Sequence, residues 1–462
     1  MRNFFETNEA VIKIRKFLVS DAFMAILFIM GLGVMLLNEE IKGTIFFVGI
    51  MCFVLLFSDD ILALLPPAFI MFSFAIRCKV TAKVNTFDEF MKYSWIIPVI
   101  IIVAIINSRI YNKGFHLHKG KLFKPILFAA IATTIGGVGI ITVEEYFKPV
   151  AILYTLGLGF GILFLYFLFS CALNPNRGSI KDVDIFLSKT MVLVTIFLFV
   201  AVLQWYGENW AKFIADPNIL PFQWRNNACT MLMIALPFCF YMSTKKFPYI
   251  ITVFLSYGTM LLSGSRGGLL CGGIELLILI IYFAKIDKKH RNFMIFTVGL
   301  VVIFMIAIIP QLMSLFSYTI DRLFSENDIR LGLLKRSVED FLANPITGRG
   351  LGYMGNRDIH KSAVASLCWY HSQIPQVFGS FGLVGVFAYG YQMICRLKLL
   401  IGEKALFAKV VLLSFIGLEL MSLVNPGIFA MPYIVIITIL FIVIENYHFK
   451  GGYPEYIPKE MN

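Results

Sequence analysis

The sequence predicts an all-α, polytopic integral membrane protein of about 12–14 transmembrane helices, with a long outer loop that carries an amphipathic helix. Three observations predict it. Of 462 residues, 59% are hydrophobic and only 15% are charged, whereas a soluble domain carries about 45–50% apolar and about 25% charged residues. Apolar stretches recur from one end of the chain to the other, at a mean hydropathy of +0.81. Lys and Arg gather in alternate connecting segments, as the positive-inside rule requires. This excludes a soluble globular enzyme, a disordered chain and a disulfide-stapled secreted module.

At the N-terminus, Lys13, Arg15 and Lys16 precede the apolar run 22–37. No small-residue cleavage site follows, and Asn38-Glu39-Glu40 comes next, so this reads as a signal anchor and first span. Further spans are expected near 44–57, 61–75, 93–107, 122–142, 149–170, 190–205, 226–243, 247–264, 267–284, 293–316, 372–395, 410–424 and 429–445. Around Ser58-Asp59-Asp60 the chain reads either as two short spans or as one bent, partly re-entrant element broken at Pro66-Pro67. With the N-terminus inside, 24 of the 40 Lys and Arg fall in inside segments. The segment 76–92 is the one misfit, with four basic residues outside. Both termini are then cytoplasmic. The chain divides into N-terminal spans (1–205), a second membrane region (206–445) that includes the outer loop 317–371, and a cytoplasmic tail (446–462).

Two outer segments stand out, 206–225 and 317–371. A loop as long as the second is usually functional. In it Ile329, Leu331, Leu333, Leu334, Val338 and Phe341 recur at helical spacing and Asn344-Pro345 follows, which predicts an amphipathic helix on the outer leaflet.

The net charge of +12 is absorbed by topology, and no basic-aromatic module outside the spans suggests nucleic-acid binding. Of the eight cysteines, six sit in or beside apolar runs, and only Cys78 and Cys368 lie in loops. No C-x-x-C or Cys/His spacing suggests a zinc site, and no cofactor is implied.

Four of the six histidines, His116, His118, His290 and His448, fall inside; His360 and His371 face out. His371, in Trp369-Tyr370-His371-Ser372-Gln373, reads either as interfacial decoration or as a reactive group, with Gln373 beside it. Arg266 sits in a small-residue break, Ser263-Gly264-Ser265-Arg266-Gly267-Gly268. A charge there is costly unless it snorkels, pairs or lines a wet cavity. Arg225 closes the other outer segment, and arginine suits bidentate phosphate binding. Arg330 opens the amphipathic helix. The run Gly348-Arg349-Gly350-Leu351-Gly352 reads as a tight turn, with phosphate cradling the minor alternative. Glu275 and Glu419, inside spans, read as functional groups or as partners of a cation or backbone N–H across the bundle. Arginines, one histidine and few carboxylates suit a diphosphate-bearing lipid: arginine neutralises the leaving group and histidine takes a hydroxyl proton. A divalent-metal transferase would show paired aspartates, and the outer side has none.

These motifs resemble those of the O-antigen ligase and O-antigen or capsule polymerase superfamily, over roughly residues 200–445. Ser263-Gly264-Ser265-Arg266-Gly267 matches a Ser-x-Ser-Arg-Gly run between two spans. Arg225-Asn226-Asn227 matches an arginine before an Asn-containing span. The stretch from Arg330 to Gly352 matches an Arg-led helix followed by Asn-Pro and a Gly-x-Gly turn. His371-Ser372 through Gly382-Leu383-Val384-Gly385 matches a His-Asn start leading to Gly-Leu-x-Gly, with Ser372 in place of the asparagine and Ser380 in place of an acidic residue.

The resemblance implies a metal-independent, inverting membrane glycosyltransferase of the cytoplasmic membrane, facing outside. It would transfer or polymerise oligosaccharide carried on undecaprenyl diphosphate. His371, Arg266 and Arg225 would be catalytic; Arg330, Arg349 and Gln373 would bind substrate. The acceptor would be a sugar hydroxyl of a second lipid-linked glycan or of a lipid core. Partners would include a flippase and a chain-length regulator. The alternative reading is a transporter for lipid-linked oligosaccharide, which should line its depth with charge and show internal repeats. A shape-and-division type glycan polymerase would need an outer aspartate in context, and Asp216, Asp321, Asp328 and Asp358 lack it.

Overall fold

A computed structural model describes residues 5, 7–76, 93, 95–112, 114–137, 149–175, 178–215, 225–296, 299, 329–351, 370–447 and 449. Among the described residues the regular structure is entirely helical.

Helix α1 (Glu9–Leu18) is capped by Asn8, whose Oδ1 accepts from the N–H groups of Ala10 and Val11 at 3.0 and 3.3 Å. Ser20 caps α2 (Asp21–Leu36) in the same way, and the two helices meet at 62°. After α3 (Glu40–Phe57), Asp60 caps a single 3₁₀ turn, Ile61–Leu64. Helix α4 (Leu65–Ile76) then opens on Pro66 and Pro67. A missing N–H costs nothing in a first turn, so these prolines start a helix, and the interruption between Phe57 and Leu65 lies before them.

Then come α5 (Ile96–Tyr111), α6 (Phe123–Gly137) and α7 (Pro149–Leu156). Helix α7 runs through a π turn, Gly157–Gly161, into α8 (Ile162–Ala172). Helix α9 (Val183–Ala215) has 33 residues and overruns the expected 190–205 span, so the first half of the outer segment 206–225 is helical. The rest of the bundle is α10 (Arg225–Lys245), α11 (Ile250–Leu262), α12 (Arg266–Ile286), α13 (Ile329–Ala343), α14 (Gln373–Gly402), α15 (Leu406–Ser422) and α16 (Met431–Asn446).

The protein is thus an all-α, multi-pass membrane protein. Six described helices are long and apolar enough to cross a bilayer, or seven if α1 and α2 form one bent span; five shorter apolar helices accompany them. Fourteen were expected because apolar stretches were counted, several of them shorter than the roughly 20 residues a full crossing takes. The expected span 293–316 lies almost wholly outside the described residues, as do His360, His448, Cys78 and Cys368.

Helix α10 is the hub. Every residue from Ala228 to Ser243 is buried, against α9, α11, α12 and α15. A helix apolar on all sides belongs inside, and this one carries Arg225 at its exposed end. Helix α16 ties the bundle end to end. At its start the Tyr433 hydroxyl donates to the Asn227 carbonyl at 2.7 Å. Just beyond its end the Tyr447 hydroxyl donates to Asp60. There Asp59 also meets Arg15 at 3.3 Å and Ser179 Oγ at 3.0 Å.

Helix α14 is broken at Gly382 (φ 59°, ψ −154°). The turn after α13 repairs the break. Leu383 and Val384 N–H groups donate to the Pro345 and Ile346 carbonyls at 2.8 and 3.1 Å, and the Arg349 and Gly350 N–H groups donate to the Gly379 and Ser380 carbonyls at 2.9 and 2.8 Å. Backbone groups freed inside a membrane helix must find such partners. A Cβ at Gly382 would lie 2.5 Å from the Ile346 oxygen, in a backbone region open essentially to glycine alone. Gly382→Ala is therefore expected to lower the melting midpoint in detergent by several degrees, for a cost of about 1–3 kcal/mol or more. Gly390→Ala on the same helix, where a Cβ meets nothing within 4 Å, serves as the control and should not lower it.

Candidate functional site

The starts of α10, α12 and α14 and the chain between α15 and α16 gather at one end of the bundle. The starts of α10 and α12 are joined by Ser265 Oγ, which donates to Asn226 Oδ1 at 2.7 Å and accepts from the Gly268 N–H at 3.0 Å as the α12 cap. Arg225 and Arg266 are the first residues of these two helices, and both side chains are exposed. The chain between α15 and α16 closes over this end: Asn425 Nδ2 donates to Asn227 Oδ1 at 3.4 Å. Helix α15 reaches α12 one turn below Arg266, where Cys271 Sγ donates to the Leu420 carbonyl at 3.5 Å. Gly427, in the same chain segment, comes up against Gln373 at the start of α14, where a Cβ would lie 2.8 Å from Gln373 Oε1. Two helix N-termini, each led by an arginine, make this end favourable for an anion, since N-terminal amides and the helix dipole add to the guanidinium charge.

His371 stands just before α14, half-buried, with φ 52°. A left-handed backbone costs a non-glycine residue about 1–3 kcal/mol and persists only where its surroundings impose it. Its neighbours do so. The Tyr370 N–H donates to Gln376 Oε1 at 3.0 Å, and the Tyr370 hydroxyl donates to Asp340 Oδ2 at 2.6 Å. On the other side the Gln376 N–H donates to the Ser372 carbonyl at 3.1 Å.

Asp340 comes from α13, and the burial of that helix differs from a plain surface helix. Leu333, Ser337 and Asp340 are buried, with Phe341 against Phe378 of α14 at 5.9 Å. Leu331, Leu334, Val338 and Leu342 stay exposed as an apolar face. Asp340 Oδ1 lies 3.6 Å from Arg336 Nε and 3.9 Å from Arg349 Nε. Burial pushes its carboxyl above the usual range, while the Tyr370 hydroxyl and the two guanidiniums pull it back down.

The sequence-derived residues therefore fall into two groups at this end. Arg225 and Arg266 share one joint between helices. His371, Gln373 and Arg349 share the other, around the start of α14. The side chain of Arg330, in the first turn of α13, lies outside the described residues. The glycine turn holds Arg349 but is no phosphate cradle: the N–H groups of Gly348, Arg349 and Gly350 are all spent on backbone carbonyls. Of the two intramembrane carboxylates, Glu419 receives a hydrogen bond from Gln373 Nε2 at 3.0 Å. Glu275 is buried beside Gly417 and finds neither a cation nor an N–H among the described residues. Among the described residues no three His, Cys, Asp or Glu gather where they could hold a metal ion. Sequence reasoning passed over Asp340 and Tyr370, whose only signal was their position between Arg330 and His371.

Residues 251–390 match the family described as O-antigen ligase. The match covers under a third of the chain and is narrower than the expected 200–445. It includes Arg266, Arg330, Arg349, His371 and Gln373, and leaves out Arg225 and Glu419. No curated protein and no solved structure matches the chain.

Proposed function

We propose that this chain is a membrane glycosyltransferase that moves or polymerises oligosaccharide from an undecaprenyl-diphosphate donor on the outer face of the cytoplasmic membrane. The observation that carries the reading is the arginine-led joint of α10 and α12, closed by Ser265 and Asn226, within a chain whose residues 251–390 match the O-antigen ligase family. Arg225 and Arg266 hold the diphosphate. As the acceptor oxygen bonds to the anomeric carbon, the bond from that carbon to the phosphate oxygen breaks. The electron pair leaves with undecaprenyl diphosphate, where the guanidiniums and helix N-termini meet the growing charge. A nitrogen of His371 takes the acceptor hydroxyl proton. One displacement inverts the anomeric centre. Helix α13 and its turn, bonded to α14, cover the reacting end and limit competition from water. The acceptor is a second lipid-linked unit in a polymerase, or a different carrier in a ligase.

Purified protein given lipid-linked glycan in EDTA should yield transferred glycan of inverted anomeric configuration by NMR. Retention, or a strict need for divalent metal, would refute the mechanism. Asp340→Asn tests the support of the site. It removes the charge between Arg336 and Arg349 and weakens the hold on Tyr370, so the transfer rate should fall about tenfold. An unchanged rate would mean that the Asp340 contacts only brace the fold.

A further inference from the structure

Of Glu275 and Glu419, the two carboxylates that the sequence places inside spans, Glu419 reaches the gathered helix ends. Its Oε2 accepts from Gln373 Nε2 at 3.0 Å, two residues beyond His371. The other oxygen of each side chain, Glu419 Oε1 and Gln373 Oε1, is buried and without a hydrogen-bond partner. Leaving one buried acceptor unmatched is costly, and two together call for an explanation. The packing does not let the pair drift apart. Gly427 (φ 58°) brings its backbone against Gln373 and Ser422, and Asn425 in the same segment donates to Asn227 beside Arg225.

Two unmatched acceptors ask for donors. A diphosphate offers none, and the carboxylate's charge is already met in part by the buried guanidinium of Arg396, so no further cation is called for there. A metal ion needs more ligands than one carboxylate, and no group of three gathers among the described residues. A sugar presents hydroxyl donors at close spacing, and a carboxylate next to an amide accepts two of them. From the side of the pair, the charged half of the donor belongs at Arg225 and Arg266, and the hydroxyl-bearing acceptor belongs beside His371. We propose that Glu419 and Gln373 form the acceptor subsite, binding hydroxyls of the incoming sugar next to His371. This rests on the glycosyltransferase reading above.

The test separates acceptor from donor. The acceptor probe is the glycan unit released from its diphosphate lipid and reduced, and the donor is the intact lipid-linked glycan. Initial transfer rates are taken in proteoliposomes with each varied in turn, for wild type, Glu419→Ala, Glu419→Gln and Gln373→Ala. Each variant is first matched to wild type by elution volume. Glu419→Ala should raise the KM for acceptor about tenfold or more, while the KM for donor stays within about twofold. Glu419→Gln, equal in size and able to accept only through its carbonyl, should show a smaller rise in the same direction. It and Gln373→Ala decide the matter if the alanine variant does not fold. If wild type transfers but the variants keep its acceptor KM, or raise both constants alike, the subsite is wrong and the enzyme reading stands. If wild type itself transfers nothing to any acceptor, the enzyme reading falls and the subsite with it.

Discussion

His371→Ala is expected to lower the transfer rate by about 10²–10⁴-fold, the usual contribution of a positioned general base. The loss should appear in kcat, since in the proposed mechanism the imidazole takes a proton that moves only in the transition state, and the KM for donor should change little. Backbone geometry makes a second variant informative. His371 holds φ at 52° and is pinned by Tyr370 and Ser372. His371→Asn keeps a side chain that tolerates the left-handed region but lacks a comparable base. It should fold like wild type and be nearly as inactive as the alanine variant. If His371→Asn retains activity, the residue positions the chain and takes no proton.

Arg266→Lys should lose transfer by about 10²-fold or more. The lysine keeps the charge but presents it as a point, where the guanidinium offers a fork that can bridge both phosphates of a leaving diphosphate. Removing one donor that meets developing charge costs about 10²–10³ in rate. Arg266 is exposed at the start of α12, so the exchange should leave the fold intact, and Ser265 still caps the helix from its own side chain. Wild-type rates in Arg266→Lys would make the arginine an interfacial anchor. The same exchange at Arg225 should behave alike, because the two helix starts are bound through Asn226 and Ser265.

Much of the helix pattern was legible in the apolar runs, because a run without charge in this composition has nowhere else to go. The caps that start the first two helices, Asn8 and Ser20, were not singled out by the apolar runs, which mark the middle of a helix and not its first turn. The amphipathic helix was expected from Ile329 to Phe341 and is found as Ile329–Ala343. Its partner was not legible. The expected apolar face set Leu331, Leu334 and Val338 beside Leu333, yet those three stay exposed and the buried stripe is Leu333, Ser337 and Asp340. Those polar residues are drawn in by Tyr370 and Gly379 of a distant segment.

The break at Gly382 was hidden for a similar reason. A glycine within an apolar stretch is common, and only the turn Pro345–Gly350 shows that the helix there exchanges backbone partners. Pro66 and Pro67 left two readings open because proline signals both a break and a first turn, and the 3₁₀ turn before them shows that here they sit in a first turn. For the site, residue type and order singled out the arginines and the histidine. What places them at one end is a set of contacts remote in sequence: Asn226 with Ser265, Asn425 with Asn227, and Gln373 with Glu419.

The central claim is that the chain forms glycosidic bonds and does not merely carry lipid-linked glycan across the bilayer. It is tested most directly in proteoliposomes loaded with undecaprenyl-diphosphate-linked glycan as the only lipid-linked sugar, in EDTA. Wild type is set beside His371→Ala, with an added sugar acceptor, and both glycan length and leaflet location are followed. Transferred or lengthened glycan from wild type, absent with His371→Ala, is the predicted result. Movement of intact donor between leaflets, with no new glycosidic bond and no difference between the two proteins, would contradict it.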